Sequence, residues 1–429
     1  MHLRAWRAAV RPCALLLAAA LLAACGGGDG DRRGTGPIVF ADSRDTSRGS
    51  QVKRLVAAWN ARHPAERVEM VELAESSDDH RAQVVARAQD AAAAREAGKS
   101  GAPCFDVTTA DLIHTAEYAH GGYIEPLGEN DFDHEAFLRE PIDSVRYKGR
   151  LWGIPLRSDV GLLYYRKDVL AASGVAAPVA WEDLRNQART IAPSKGMQGY
   201  VTQLDQYEGF TVNTMEQIWD ATGGGILGPD GAVVATPSTL REGFERLVQG
   251  VREGWIPKDA TDFNEERSRI AFQDGRALFM RNWTYAYELL HAADSPVAKT
   301  FGVAKLPTPS ALGGWNLTLS SCSTKQRTAL RFMQFLTSEA NQRRLFTGAG
   351  FAPSRKALYE DAALLRRYPH LSVIGAAIEE ARDRGPSPYY HEVSNTFQAN
   401  LHGVLTRPER LEAGLSGLRE DLYRAAVGR

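Results

Sequence analysis

A flat indole beside a planar amide, with carboxylates at the ends of other apolar runs, is chemistry suited to gripping a polyhydroxylated ring. Asn282-Trp283-Thr284-Tyr285 follows the apolar run Ala277-Leu278-Phe279-Met280, which places Trp283 near a strand end, where ligand crevices of α/β sheets form. Carbohydrates present weakly apolar C–H faces and a rim of hydroxyls, so their sites need an aromatic platform and Asp, Glu, Asn and Arg side chains that bond two hydroxyls at once. Asp111, just past the apolar segment ending at Thr109, is placed for that role and equally for capping a helix. Trp283 taken alone reads equally well as a core aromatic.

Motifs for catalysis are missing from the sequence. There is no G-x-S-x-G elbow, Walker lysine loop or H-E-x-x-H, and Gly348 and Gly350 lack the third glycine of a dinucleotide fingerprint. His114, Glu117 and His120 share a helical segment, but the two histidines are spaced poorly for one metal face and read as solvated helix residues. No metal or cofactor is expected. Carboxylates are plentiful, yet a glycosidase pair is defined by its separation in space, so a hydrolase stays open as an alternative.

The elements that position these residues follow from apolar spacing. Ile38-Val39-Phe40-Ala41 reads as a strand, and Val52, Leu55, Val56 and Trp59 form one stripe of an amphipathic helix. Val68 to Leu73 alternates as a strand, Arg81 to Ala97 suits a helix, and Phe105 to Thr109 is a further strand. This β-α-β-α-β rhythm predicts an α/β protein with a mostly parallel sheet. The dense run Leu162-Leu163-Tyr164-Tyr165 marks entry to a second lobe, Gly223 to Gly225 and Gly228 to Gly231 mark turns, and Ala329, Phe332, Met333 and Leu336 form another helical stripe.

Of 429 residues, 44% are hydrophobic and 51 basic side chains face 52 acidic ones, so the chain is globular, spans two or three domains by length, and lacks the basic excess of a nucleic-acid binder. Arg4, Arg7 and Arg11 precede an apolar run from Cys13 to Ala24 that is too short to span a bilayer, the pattern of an export signal. The run ends in Leu22-Ala23-Ala24-Cys25 followed by glycines, which resembles a bacterial lipobox and implies cleavage after residue 24 and lipidation of Cys25. Outside the cytoplasm a disulfide persists, so Cys104 and Cys322 are expected either to pair or to remain as two buried thiols.

In their order along the chain, several segments resemble the extracellular solute-binding proteins of sugar ABC importers. They include Phe105-Asp-Val-x-x-Ala-Asp111, Tyr118-Ala-x-Gly-Gly-Tyr123, Gly161-Leu-Leu-Tyr-Tyr-Arg-Lys-Asp168, Ala271-Phe-Gln-Asp-Gly-Arg-Ala277, Asn282-Trp283 and Gly313-Gly-Trp-Asn-Leu317. Asp111-x-x-x-Thr-Ala-Glu117 and Tyr207-Glu208-Gly209-Phe210 look most like trehalose-binding lipoproteins of actinobacteria.

The resemblance implies a two-lobed periplasmic-binding-protein fold of type II with several chain crossings at the hinge. Expected boundaries are a leader over 1–24, a lipid-anchored tether over 25–36, lobe I from 37–158 and 281–338, and lobe II from 159–280 and 339–429. The resemblance also implies a monomeric, non-catalytic receptor anchored outside the cell membrane. It would bind a disaccharide or short oligosaccharide, trehalose first, and deliver it to permease subunits served by a cytoplasmic ATPase. Asp111, Asp159, Glu208, Trp283, Gly314 and Arg384 would line the cleft, with Arg81 and Ser43 near the first lobe's strand ends. Asp159 stands where relatives often carry Asn, and Trp315 where they carry smaller residues. A different solute is the alternative reading; a phosphate ligand fits poorly, because the candidate residues are mostly acidic.

Overall fold

Alternating apolar residues near the start of the chain resolve, in a computed structural model, into β1 (Ile38–Ser43), β2 (Val68–Leu73) and β3 (Val107–Asp111), all parallel and ordered β2-β1-β3. The structure describes residues 34–45, 49–99 and 103–429, and the expected leader and Cys25 lie outside them. The helices Gln51–Arg62 and Ser77–Glu96 follow β1 and β2, and the first buries the expected stripe of Val52, Leu55, Val56 and Trp59. Trp59 meets Phe332 edge to face at 5.5 Å, joining this helix to the Gln326–Leu336 helix, whose own stripe is likewise buried.

Later strands are β4 (Ile124–Glu125), the hairpin of β5 (Arg146–Tyr147) and β6 (Arg150–Leu151), β7 (Ile154–Val160), β8 (Leu162–Arg166), β9 (Gln198–Val201), β10 (Ala277–Asn282), β11 (Phe301–Lys305) and β12 (Leu312–Ser320). β12 runs antiparallel to β3, β4 and β7 and completes the sheet of the first lobe. The second lobe holds the sheet β11-β8-β10-β9, with helices packed on both faces. The molecule is thus α/β with two lobes. Cys104 and Cys322 are disulfide-bonded, Cα atoms 5.9 Å apart, tying the approach to β3 to the end of β12.

The chain passes between lobes at Gly161, between β7 and β8, again over Leu306–Ala311, between β11 and β12, and a third time after the Glu339–Ala349 helix, on its way to the second-lobe helix Tyr390–Leu401. Two stretches therefore differ from the expected division. Residues 281–305 stay with the second lobe, because Arg281 and Asn282 end β10 against β8 and β11 pairs along the whole of the other edge of β8. The Glu339–Ala349 helix, expected in the second lobe, packs by Leu345 into the core beneath the Gln51–Arg62 helix. Among the described residues no helix is long and apolar enough to cross a membrane.

Candidate functional site

Between the lobes lies a cavity of about 200 Å³, reached by the C-terminal ends of β1 and β3 from one side and by the end of β10 from the other. Ser43, Asp111, Asp159, Glu208, Trp283, Gly314 and Arg384 all line it, so seven of the eight residues expected from the sequence are brought together. Arg81 is the exception. It lies in the Ser77–Glu96 helix, and its guanidinium forks onto Glu117, with Nε donating at 2.6 Å and Nη2 at 2.5 Å, and lies 3.9 Å from Glu392 of the second lobe. A carboxylate one helix away satisfies it before it reaches the cavity.

Asp111 ends β3, lines the cavity and takes up the capping role foreseen for it. Its Oδ1 caps the following turn by accepting from Ile113 N at 3.4 Å, and its Oδ2 accepts from Ser77 Oγ at 2.9 Å. Across the sheet Trp315 of β12 stands opposite Asp111 on one side and Arg157 of β7 on the other, a row of acid, indole and guanidinium on the floor of the first lobe. Arg157 Cζ lies 5.4 Å from the Trp315 ring centroid and 4.4 Å from that of Phe351, and Arg157 Nη2 donates to Ser43 Oγ at 3.3 Å. Gly314 adopts φ +134°, and a Cβ there would meet Arg157 O at 2.5 Å, so only glycine lets β12 and β7 approach at this point.

From the second lobe, Arg384 reaches across. Nη1 donates to Glu208 Oε1 at 2.7 Å, and Nη2 lies 3.4 Å from Asp111 Oδ1 and donates to Leu312 O at 3.2 Å. Glu208 also accepts from Tyr390 Oη at 2.7 Å and Ser394 Oγ at 2.6 Å, so its carboxylate is occupied within the protein. Burial works against the Arg384 cation, but the carboxylates of Asp111 and Glu208 outweigh it and hold its pKa above the ordinary value. Trp283 is fixed by its ring N–H, which donates to Glu265 Oε1 at 3.2 Å, and by the Arg281 guanidinium 3.9 Å from its ring centroid. Tyr207 donates to the other oxygen of Glu265 at 2.7 Å. At the mouth, burial and the facing carboxylates of Glu266 and Glu265 push Glu75 of the first lobe upward in pKa.

Asp159 has its Oδ1 filled by Val160 N at 3.0 Å, Thr284 N at 2.9 Å and Thr284 Oγ1 at 2.8 Å. Burial outweighs these bonds and raises its pKa from 3.8 to about 6. A carboxyl raised on folding stabilises the fold fully below about pH 4 and loses that contribution as pH climbs through about 6. Asp159→Asn keeps the acceptor and removes the charge. It is expected to flatten the pH dependence of stability between pH 4 and 7 and to gain about 1–3 kcal/mol over the parent at pH 7. Urea midpoints at pH 5 and pH 7 check this; equal slopes in both proteins would sink it.

Sequence reasoning did not assign Arg157 or Glu265 to the site. The visible signal for Arg157 was a lone cation inside the apolar strand Ile154-Pro-Leu-Arg-Ser, whereas Glu265 merely opens a helix. His114, expected on a solvated face, is buried, and burial together with nearby Arg81 lowers its pKa well below the usual range. Its Nδ1 lies 3.6 Å from Glu117, making it a neutral polar core residue. Among the described residues no cluster of His, Cys, Asp and Glu could hold a metal ion.

Two α/β lobes, three hinge crossings and a polar, tryptophan-flanked cleft define a two-lobed binding protein. Residues 74–372 match the model of the bacterial extracellular solute-binding protein family, and the chain belongs to that family. A probable ABC transporter-binding protein of Deinococcus radiodurans is 31% identical over 291 residues, covering 64% of this chain and 69% of the relative. The mannitol-binding protein of Pseudomonas aeruginosa is 21% identical over 355 residues, covering 75% and 81%. Among solved structures, the maltose-bound MalE3 of T. maritima superposes with a TM-score of 0.80 at 30% identity, covering 90% of this chain and 98% of that one. A solute-binding protein of Thermotoga lettingae bound with α-D-tagatose shares the fold, with a TM-score of 0.78 at 21% identity, covering 92% and 100%.

Proposed function

We propose that this protein is the solute-binding component of an ABC importer and takes a sugar or polyol into the inter-lobe cleft. The observation that carries the reading is the pairing of two indoles, Trp283 and Trp315, one from each lobe, with acidic and guanidinium groups that bond hydroxyls in pairs. Solute bonded by both lobes favours the closed state by its differential affinity, and the permease reads that state, so no covalent chemistry is needed. Maltose in MalE3 and mannitol in the Pseudomonas relative support this solute class.

The finer reading concerns size. Pockets for drug-sized ligands run to about 300–1,000 Å³. A cavity of about 200 Å³ is enough for one sugar ring or a hexitol as the lobes stand. Cys25 is the proposed lipid anchor that keeps the receptor at the outer face of the membrane. Calorimetry with trehalose, maltose, mannitol and tagatose tests the reading: one solute is expected to bind with a Kd of about 1–10 μM and to be recovered intact. Release of monosaccharide from a disaccharide would make the protein a hydrolase, and silence from every sugar and polyol would move its ligand to another class.

A further inference from the structure

A buried ion pair away from the cavity wall touches two of the three chain crossings and the indole that lines the cavity. Arg281, in β10, is fully buried; its Nη2 and Nε donate to the two Glu216 carboxylate oxygens at 2.7 and 3.2 Å, and Nη1 donates to Gln203 Oε1 at 3.3 Å. The flat face of the same guanidinium lies under Trp283, 3.9 Å from the ring centroid. Gly161, the first crossing, passes so close that a Cβ would stand 2.7 Å from Arg281 Nε. The second crossing is bonded to the other partner: Ala311 N and Ser310 Oγ donate to Glu216 Oε1 at 3.1 and 3.2 Å, and Thr308 Oγ1 donates to Glu216 O at 3.3 Å. The crossings also meet each other, Gly161 N donating to Ser310 Oγ at 2.6 Å.

We propose that the Arg281–Glu216 pair is a pivot of the hinge, a positioning pair that holds these two crossings in one geometry and fixes Trp283 relative to them. A buried charge pair is poor at adding net stability but good at enforcing a single arrangement, because each partner left alone is an uncompensated charge. The planar fork matters as much as the charge: it bonds Glu216 along one edge, presents a face to the indole and leaves space only for glycine at 161. Lysine offers a point charge with neither face nor fork. Neither side chain lines the cavity, so the pair acts through Trp283 and the two crossings.

The proposal rests on the hinge-closure reading, and its test needs no solute, so it stands or falls whether or not the cleft proves to take a sugar. Hydrogen exchange is followed by mass spectrometry in the parent, in Arg281→Lys and in Glu216→Gln, together with the fluorescence of Trp283. There are eight tryptophans, so the Trp283 signal is taken as the difference between each protein and its Trp283→Phe counterpart. In both variants peptides spanning Gly161 and Ala311 are expected to exchange about tenfold faster, while those from β3 keep the parental rate. The Trp283 emission is expected to move to longer wavelength as the indole loses its seat.

Parental exchange at both crossings in either folded variant would overturn the proposal. So would an equal acceleration throughout the protein, which marks a pair that serves only overall stability. Failure of both variants to fold would also count against it, by making the pair a condition of the fold rather than of the hinge.

Discussion

Replacing Trp283 with alanine is expected to weaken solute binding by about 2–4 kcal/mol, roughly thirty- to a thousandfold in Kd, while the protein still folds cooperatively. The indole is the second lobe's flat surface in the cleft, and nothing beside it could substitute: Tyr207 and Tyr285 hold their hydroxyls on Glu265 and Glu266, and Arg281 lies behind the ring. Trp283→Phe keeps a face for stacking and loses only the hydrogen bond to Glu265, so it is expected to retain most of the affinity. Calorimetry with the solute that binds most tightly in the sugar and polyol panel distinguishes the two variants. A Kd unchanged by alanine would remove Trp283 from the binding surface.

A comparably large effect on stability is expected at Arg384. It is 2% exposed and stands between Glu208, buried in the second lobe, and Asp111 of the first. Arg384→Met would leave the Glu208 carboxylate with only the hydroxyls of Tyr390 and Ser394, and breaking a buried pair from one side costs about 3–5 kcal/mol. Urea unfolding should show that loss at pH 7 and recover part of it towards pH 5, since a carboxyl left without its cation is protonated more easily. Adding Glu208→Gln to Arg384→Met should restore most of the lost stability, because the more deeply buried of the two carboxylates that Arg384 served is then neutral. A double variant as unstable as Arg384→Met alone would place the cost elsewhere.

Much of the fold was legible because its signals are local. The stripes Val52-Leu55-Val56-Trp59 and Ala329-Phe332-Met333-Leu336 each mark a helix face that is buried in the structure, and the three N-terminal strands pair in parallel as their rhythm requires. The division of the chain between lobes was less legible, since β11 joins β8 by a long-range antiparallel pairing that leaves no trace in the spacing of Phe301–Lys305. Candidate site residues were readable where they end or directly follow a strand, as Asp111 and Trp283 do. Arg81 misled because charge at the start of a helix is visible in sequence, whereas the Glu117 that claims it is brought near only by tertiary packing. Arg157 and Arg281 sit within apolar strands, where a cation has meaning only once its partner is known.

The placement of β12 has a consequence in time. Thr108 and Thr318 face each other across 210 residues of chain, and the sheet of the first lobe lacks the strand that joins β3 to β4 and β7 until Leu312–Ser320 has been made. Pairings so distant in sequence must meet their loop-closure entropy before any burial offsets it, and topologies rich in them reach the native state slowly for a given stability. The first lobe's sheet is therefore completed late, and a chain exported in an extended state has, in this delay, the interval during which it can be threaded.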